Sequence, residues 1–182
     1  MAGSQNVVVR RATSADIPAV VAIYDRILTE EELGHASIGW IRGIYPTEDT
    51  ANAAMRAGEL FIYEEQGTVL ASARINREQV PAYQNARWSM DAPPEEVMVL
   101  HTLTVDPSAA GKGIGTRFVQ FYEQYARIHG CRFLRLDTNE KNTAARKLYS
   151  SLGYQEAGIV LCKFNGIPNV QLVCLEKTLE EI

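Results

Sequence analysis

The sequence predicts a mixed α/β fold in one domain, with about seven strands and about four helices. Three observations carry this expectation. Apolar runs of strand length flank tight turns twice, from Leu60 to Ala73 and from Ile159 to Leu175, which reads as two hairpins. Between them, Val97 to Leu136 runs strand, glycine-rich turn, helix and strand, which reads as a crossover. A chain of 182 residues, 46% hydrophobic and 22% charged, suits a single domain over 1–182 with a sizeable core.

The elements follow in order. Residues 1–6 read as a flexible start, and Val7-Val8-Val9 as the first strand. Thr13 or Ser14 can cap a helix with Ile17, Val20, Val21, Tyr24, Ile27 and Leu28 on one side. Gly34 to Pro46 is aromatic and glycine-rich, and a short helix is predicted from Thr47 to Ala57. Leu60 to Tyr63 and Thr68 to Ala73 flank the turn Glu65-Gln66-Gly67. Arg77 to Pro94 is polar, irregular and long, as functional loops are. Val97 to Val105 is a strand and Asp106-Pro107-Ser108 a turn. A helix runs from Gly113 to His129, with Ile114, Phe118, Phe121, Tyr122 and Tyr125 at helical spacing. Phe133 to Leu136 is a strand, and Asn142 to Leu152 is a helix closed by Gly153. Ile159 to Cys162 and Val170 to Leu175 close the chain as a strand pair, turning at Asn165 to Pro168.

Charge and composition exclude several classes. A net charge of -4 repels phosphate backbones, so no nucleic-acid partner is expected. No apolar run approaches the roughly 18 residues of a membrane span, and Met1 to Asn6 lacks the pattern of a secretory signal. Cys131, Cys162 and Cys174 are widely spaced in apolar stretches, which predicts buried thiols in the cytoplasm. Neither they nor His35, His101 and His129 form a ligand pair, so no metal is expected. Asp106 to Lys147 nets +4 and leaves the remainder at -8. A basic island in an acidic chain suggests a local anionic ligand.

Two segments within that island carry chemistry. Ala110-Gly111-Lys112-Gly113-Ile114-Gly115-Thr116 lies between a strand and a helix. A helix start offers unpaired N–H groups and a positive dipole end, and glycines admit a phosphate to that backbone. The spacing fits neither a P-loop nor a dinucleotide fingerprint, and a plain tight turn explains it nearly as well. The second segment, Asn142 to Tyr154, has Ala145, Leu148, Tyr149 and Leu152 on one helical face behind an Asn142 cap.

Together the two segments resemble the GNAT superfamily of acyl-CoA-dependent N-acetyltransferases. That family has a strand, a glycine turn, a helix and a strand, then an Asn, Ala, Tyr and Gly-aromatic series matched here by Asn142, Ala145, Tyr149 and Gly153-Tyr154. Ala110 stands where the family has Gln or Arg. The resemblance implies a mixed, mostly antiparallel sheet with a splayed strand pair that holds acetyl-CoA, the acetyl donor. It implies cofactor contacts from Leu103, Thr104, Val105, Ala110, Gly111, Lys112, Gly113, Ile114, Gly115, Thr116, Asn142 and Tyr149. It implies that the Tyr149 phenol protonates the departing thiolate. His101 sits where arylalkylamine N-acetyltransferases carry a histidine, and its ordinary pKa suits a base. Glu96 and Glu95 are rival bases at the strand entry.

The implied reaction is direct transfer of an acetyl group to an amine. The amine acceptor is expected to be a small molecule, meeting aromatic walls formed by Trp40, Tyr45, Tyr83 and Trp88. A protein or peptide amine, and a regulatory module that binds acyl-CoA without turnover, are the alternatives. An exposed final strand pair leaves room for a homodimer.

Overall fold

The computed structural model describes residues 6–181. Apart from Asn6, the segment expected to be flexible lies outside them. The elements are β1 (Val7–Arg11), α1 (Ile17–Glu32), α2 (Glu48–Arg56), β2 (Leu60–Glu65), β3 (Thr68–Asn76), β4 (Val97–Val105), α3 (Ile114–Ile128), β5 (Phe133–Asn139), α4 (Thr143–Ser151), β6 (Gln155–Phe164) and β7 (Ile167–Thr178). They build a 7-stranded sheet in the order β1-β2-β3-β4-β5-β7-β6. Among the described residues only β4 and β5 pair in parallel; every other neighbour is antiparallel. The fold class is therefore as predicted.

The last hairpin departs from the sequence expectation. Its strands are longer, and Pro168 lies inside β7, which leaves only Asn165-Gly166 in the turn. Pro168 has no N–H to give, and it falls at the start of the strand where the ladder with β6 is irregular.

Packing divides the sheet into regions. On one face α3 and α4 lie over β3, β4, β5 and β7, and bury Ile114, Phe118, Tyr122 and Tyr149 with Met98, Leu100, Leu134 and Leu136. Each such side chain contributes about 1.5–3 kcal/mol by leaving water. The Tyr122 hydroxyl also donates to the carbonyl oxygens of Met98 (2.6 Å) and Arg135 (3.3 Å), which pins α3 across the parallel pair. On the other face α1 and α2 cover β2 with Ile17, Val20, Tyr24, Ala51 and Ala54. The segment 77–94 covers β5 and β7 on that same face through Tyr83, Val80 and Trp88. The ground between these two covers is where the sheet opens.

Candidate active site

β4 and β5 stay paired only as far as Leu100 and Leu136. Beyond that point β4 keeps its partner β3 and β5 keeps its partner β7. The facing edges of 101–105 and 137–139 part, with their ladder groups turned toward the gap. The cause lies in β4. Between the Arg74–His101 and Ser72–Thr104 pairs it holds an extra residue, and Thr102 takes a φ of 54°. A bulge of this kind bends its strand and resets which face each side chain meets. Met98 and Leu100 face α3 before the bulge, and Leu103 and Val105 face it afterwards.

The gap holds a cavity of about 470 Å³. Leu103, Thr104 and Val105 line one side, Asp137, Thr138 and Asn139 the other, and Tyr149 of α4 also lines it. The Thr104 hydroxyl is committed to Ser72 at 2.7 Å, so this residue has main chain to offer the cavity. Burial raises the Tyr149 phenol well above its ordinary range, so it keeps its proton. Asn142 also lines the cavity while its Oδ1 accepts the Ala145 N–H at 3.1 Å, which caps α4.

The glycine turn stands at the outer end. Asp106 fixes its start by accepting the N–H and hydroxyl of Ser108 at 2.9 and 2.8 Å. Ala110 reaches the cavity, whereas Gly111, Lys112 and Gly113 are exposed beside it. Gly113 takes the N-cap position of α3 with a φ of 76°, and no side chain caps the helix. An L-residue there costs about 1–2 kcal/mol. The first N–H groups of α3, at Ile114, Gly115 and Thr116, have no acceptor within the helix. The Ile114 side chain is in the core, and Gly115 packs on Leu148 and Val105.

The basic island does not form one surface. Arg135 is buried under Trp88, and Arg132 pairs with Glu181 at 2.6 Å. Arg146 pairs with Glu156 at 2.7 Å, and Arg127 donates to the Glu180 carbonyl at 3.0 Å. Lys112, Arg117, Lys141 and Lys147 stay exposed on or beside the N-terminal turns of α3 and α4.

A second cavity of about 270 Å³ adjoins the first. The two share Tyr45, Thr102, Asp137, Phe164 and Asn165. The loop after α1 closes over this junction. The Glu31 carboxylate accepts the N–H groups of Ile38 (2.6 Å) and Gly39 (3.0 Å). Gly39 then approaches β5 so closely that a Cβ would collide with the Asn139 amide. Trp40 and Tyr45 pack edge to face at 6.0 Å, and the Tyr45 hydroxyl, pushed up to about 12 by burial, bonds that of Thr102.

His101 lines the second cavity, with Nε2 2.7 Å from the Asn76 Oδ1. Burial, together with the nearby Arg74 charge, pushes its pKa down to about 4, so the ring is neutral at pH 7. Glu96 and Glu95 lie at the opposite end of β4 from the splay and line neither cavity. Tyr83 and Trp88 line neither cavity, contrary to the expected acceptor wall. They belong to the core under 77–94, with their rings 5.2 Å apart and the Trp88 Nε1 donating to the Tyr83 carbonyl at 2.9 Å.

Asp137 is the group that sequence reasoning passed over. It lines both cavities, and the Tyr83 hydroxyl donates to its Oδ2 at 2.6 Å. Desolvation raises its pKa to about 6, against the lowering effect of that bond. Its charge is felt at Tyr45, Tyr149, Cys162 and Cys174. An acid directly after the strand-forming stretch Phe133 to Leu136, at a position that still belongs to the strand, was the available signal, because strands rarely bury a carboxylate idly. Phe164 and Asn165, at the turn expected in the last hairpin, also line both cavities, a place that their turn chemistry alone does not assign; Asn165 takes a φ of 51°. Among the described residues no group of His, Cys, Asp and Glu is arranged to hold a metal ion, and no helix is long and apolar enough to cross a membrane.

Comparison with known proteins bears on the family and the fold. The model of the acetyltransferase (GNAT) family matches residues 23–154. An uncharacterized N-acetyltransferase of Methanocaldococcus jannaschii is 32% identical over 76 residues, 42% of this chain and 34% of its own length. The N-alpha-acetyltransferase RimI of Mycobacterium tuberculosis is 42% identical over 67 residues, 37% of this chain and 40% of its own length. These matches thus span about a third to two fifths of the curated relatives. Among solved structures, a GNAT-family acetyltransferase of Streptococcus agalactiae superposes with a TM-score of 0.80 at 21% identity, covering 96% of both chains. The yncA protein of Salmonella typhimurium, solved with its cofactor acetyl-CoA, superposes with a TM-score of 0.70 at 21% identity, covering 97% of this chain and 96% of its own.

Proposed function

Given that the chain belongs to the acetyltransferase (GNAT) family, we propose that it transfers an acetyl group from acetyl-CoA to a small-molecule amine, by direct attack within a ternary complex. The observation that carries this is the parting of β4 from β5 at the Thr102 bulge. It sets unpaired backbone along a cavity that runs from Pro107 and Ala110, in the turn before the uncapped start of α3, to Asp137 and Tyr149.

The residues fit the donor. The N–H groups of Gly113 to Thr116 and the positive end of the α3 dipole suit a diphosphate. Gly111 and Gly113 leave open space in front of that backbone, which a ligand can approach. Lys112 adds charge where Ala110 has none to give. Leu103, Thr104 and Val105 offer main-chain groups to the amide-bearing arm, and Asn142 borders it while capping α4. Acetyl-CoA supplies the activated acetyl group and a thiolate leaving group.

The chain's own groups then manage two protons. An amine with a pKa near 10 is mostly protonated at pH 7 and must lose a proton before it can attack. Asp137, at about 6, is ionised at pH 7 yet holds a proton better than an ordinary carboxylate, so it is our base. His101, at about 4, is a poorer match and serves as a neutral wall of the acceptor cavity. Tyr149, kept protonated by burial, is the acid that meets the thiolate. The acceptor enters the smaller cavity, between Tyr45 and Phe164, while Trp40 backs Tyr45 from the larger cavity. A volume of about 270 Å³ suits a small molecule better than a folded protein surface.

The test is thiol release from acetyl-CoA with a panel of small amines and N-terminal peptides. Release that saturates in a small amine supports the reading. Saturable acetyl-CoA binding without release by any amine overturns it, and release with peptides alone overturns the small-molecule part.

A further inference from the structure

Tyr83 has no place in either cavity, yet it makes the closest contact to the proposed base. Its hydroxyl donates to Asp137 Oδ2 at 2.6 Å, and the residue is 2% exposed. The segment 77–94 that carries it is tied down on three strands. Arg135 of β5 stacks on Trp88 at 4.2 Å and donates to Gln79 Oε1 (2.6 Å) and the Met90 carbonyl (3.1 Å). The Arg87 N–H donates to the Ala157 carbonyl of β6 at 2.6 Å, and the Ser89 N–H to Glu176 Oε1 of β7 at 2.7 Å. Trp88 completes the brace by holding the Tyr83 carbonyl. A loop fastened this way delivers one hydroxyl to one carboxylate oxygen.

The geometry points to Tyr83 as a positioning residue for Asp137. It occupies Oδ2 and leaves Oδ1 as the basic oxygen of a residue that lines both cavities. The inference rests on the base assignment made above. The donated hydrogen bond also favours the ionised carboxylate, so it opposes the upward push of burial. The other groups around Asp137 do not replace it. Tyr45 is engaged with Thr102, and Tyr149 faces the larger cavity. Cys162 and Cys174 are thiols held protonated by burial. Across the smaller cavity, Arg74 is paired with Glu59, His101 is neutral and Glu78 is exposed.

Tyr83→Phe keeps the ring and removes the hydroxyl. Loss of one charge-assisted bond moves the acid limb of kcat/KM for the amine up by about one pH unit. With a limb near 6, the rate then falls nearly ten-fold at pH 5.5 and about two-fold at pH 7, and meets wild type near pH 9. KM for acetyl-CoA stays unchanged. Carbon NMR of the Asp137 carboxyl in the free enzyme reads the same midpoint without turnover and moves upward with it. In the Asp137→Asn background, Tyr83→Phe adds no further loss. An unmoved carboxyl midpoint, or an equal loss at every pH, overturns the inference. A wild-type rate in Asp137→Asn overturns the base assignment itself, whereas the NMR midpoint still reports on Tyr83.

Discussion

Replacing Asp137 by Asn keeps the shape of the side chain and removes its charge, and it separates stability from activity in opposite directions. The Asp137 carboxyl has a pKa of about 6 in the fold, against 3.8 for the ordinary group. The folded state therefore binds this proton more tightly than the unfolded chain. The group's contribution is most favourable below pH 3.8 and is lost as pH rises through 6. A gap of that size corresponds to about 3 kcal/mol, reduced to about 2 kcal/mol because Asp137 keeps partial contact with the open cleft. Asn accepts the Tyr83 hydroxyl without carrying that cost. For a chain of this length each kcal/mol moves Tm by about 2–4 °C, so Asp137→Asn melts about 4–8 °C higher at pH 8 and level with wild type at pH 4. Loss of a general base lowers kcat by about 10²–10⁴-fold at pH 7. Scanning calorimetry at the two pH values, with thiol release at pH 7, reads both effects. A variant less stable than wild type at pH 8, or one as active, refutes the reasoning.

The other predictions follow from the same geometry. Gly113→Glu puts a carboxylate and an unfavourable φ at the start of α3; acetyl-CoA affinity falls about 100-fold, and wild-type affinity by calorimetry removes the diphosphate site. Tyr149→Phe lowers kcat by about 10–100-fold with little change in KM, and an unchanged kcat across pH removes the acid. Glu96→Gln turns over at the wild-type rate because it lies at the wrong end of β4, and a large loss contradicts Asp137 as the base. His101→Ala raises KM for the amine and leaves the acid limb of the rate in place, since a ring at about 4 does not set a limb near 6.

Much of the frame was legible because local rules and tertiary packing agree. The α3 stripe of Ile114, Phe118 and Tyr122 is buried as its spacing demands, and the β2–β3 hairpin turns where Gln66-Gly67 permits positive φ. The glycine turn and Asn142 also stand where their chemistry puts them, at the starts of α3 and α4. What was not legible depends on contacts between distant segments. Thr102 carries no local sign of a bulge; the register against β3 creates it. Tyr83 and Trp88 have the composition of an acceptor wall, but Arg135 draws them into the core from 45 or more positions away in the chain. Charge counting placed Arg135, Arg132 and Arg146 around a phosphate, whereas pairing with Glu181 and Glu156 and stacking on Trp88 commits them elsewhere. Asp137 needed the fold most of all, since its raised pKa comes from burial beside two cavities enclosed by segments from most of the chain.

Direct transfer between two adjoining cavities is read by an initial-velocity matrix. Acetyl-CoA and the best amine of the panel are varied together at pH 8, and CoA release is followed. Double-reciprocal lines intersect, because both ligands must occupy the junction at Asp137 before CoA leaves. Parallel lines, with CoA released before any amine is added, would contradict it.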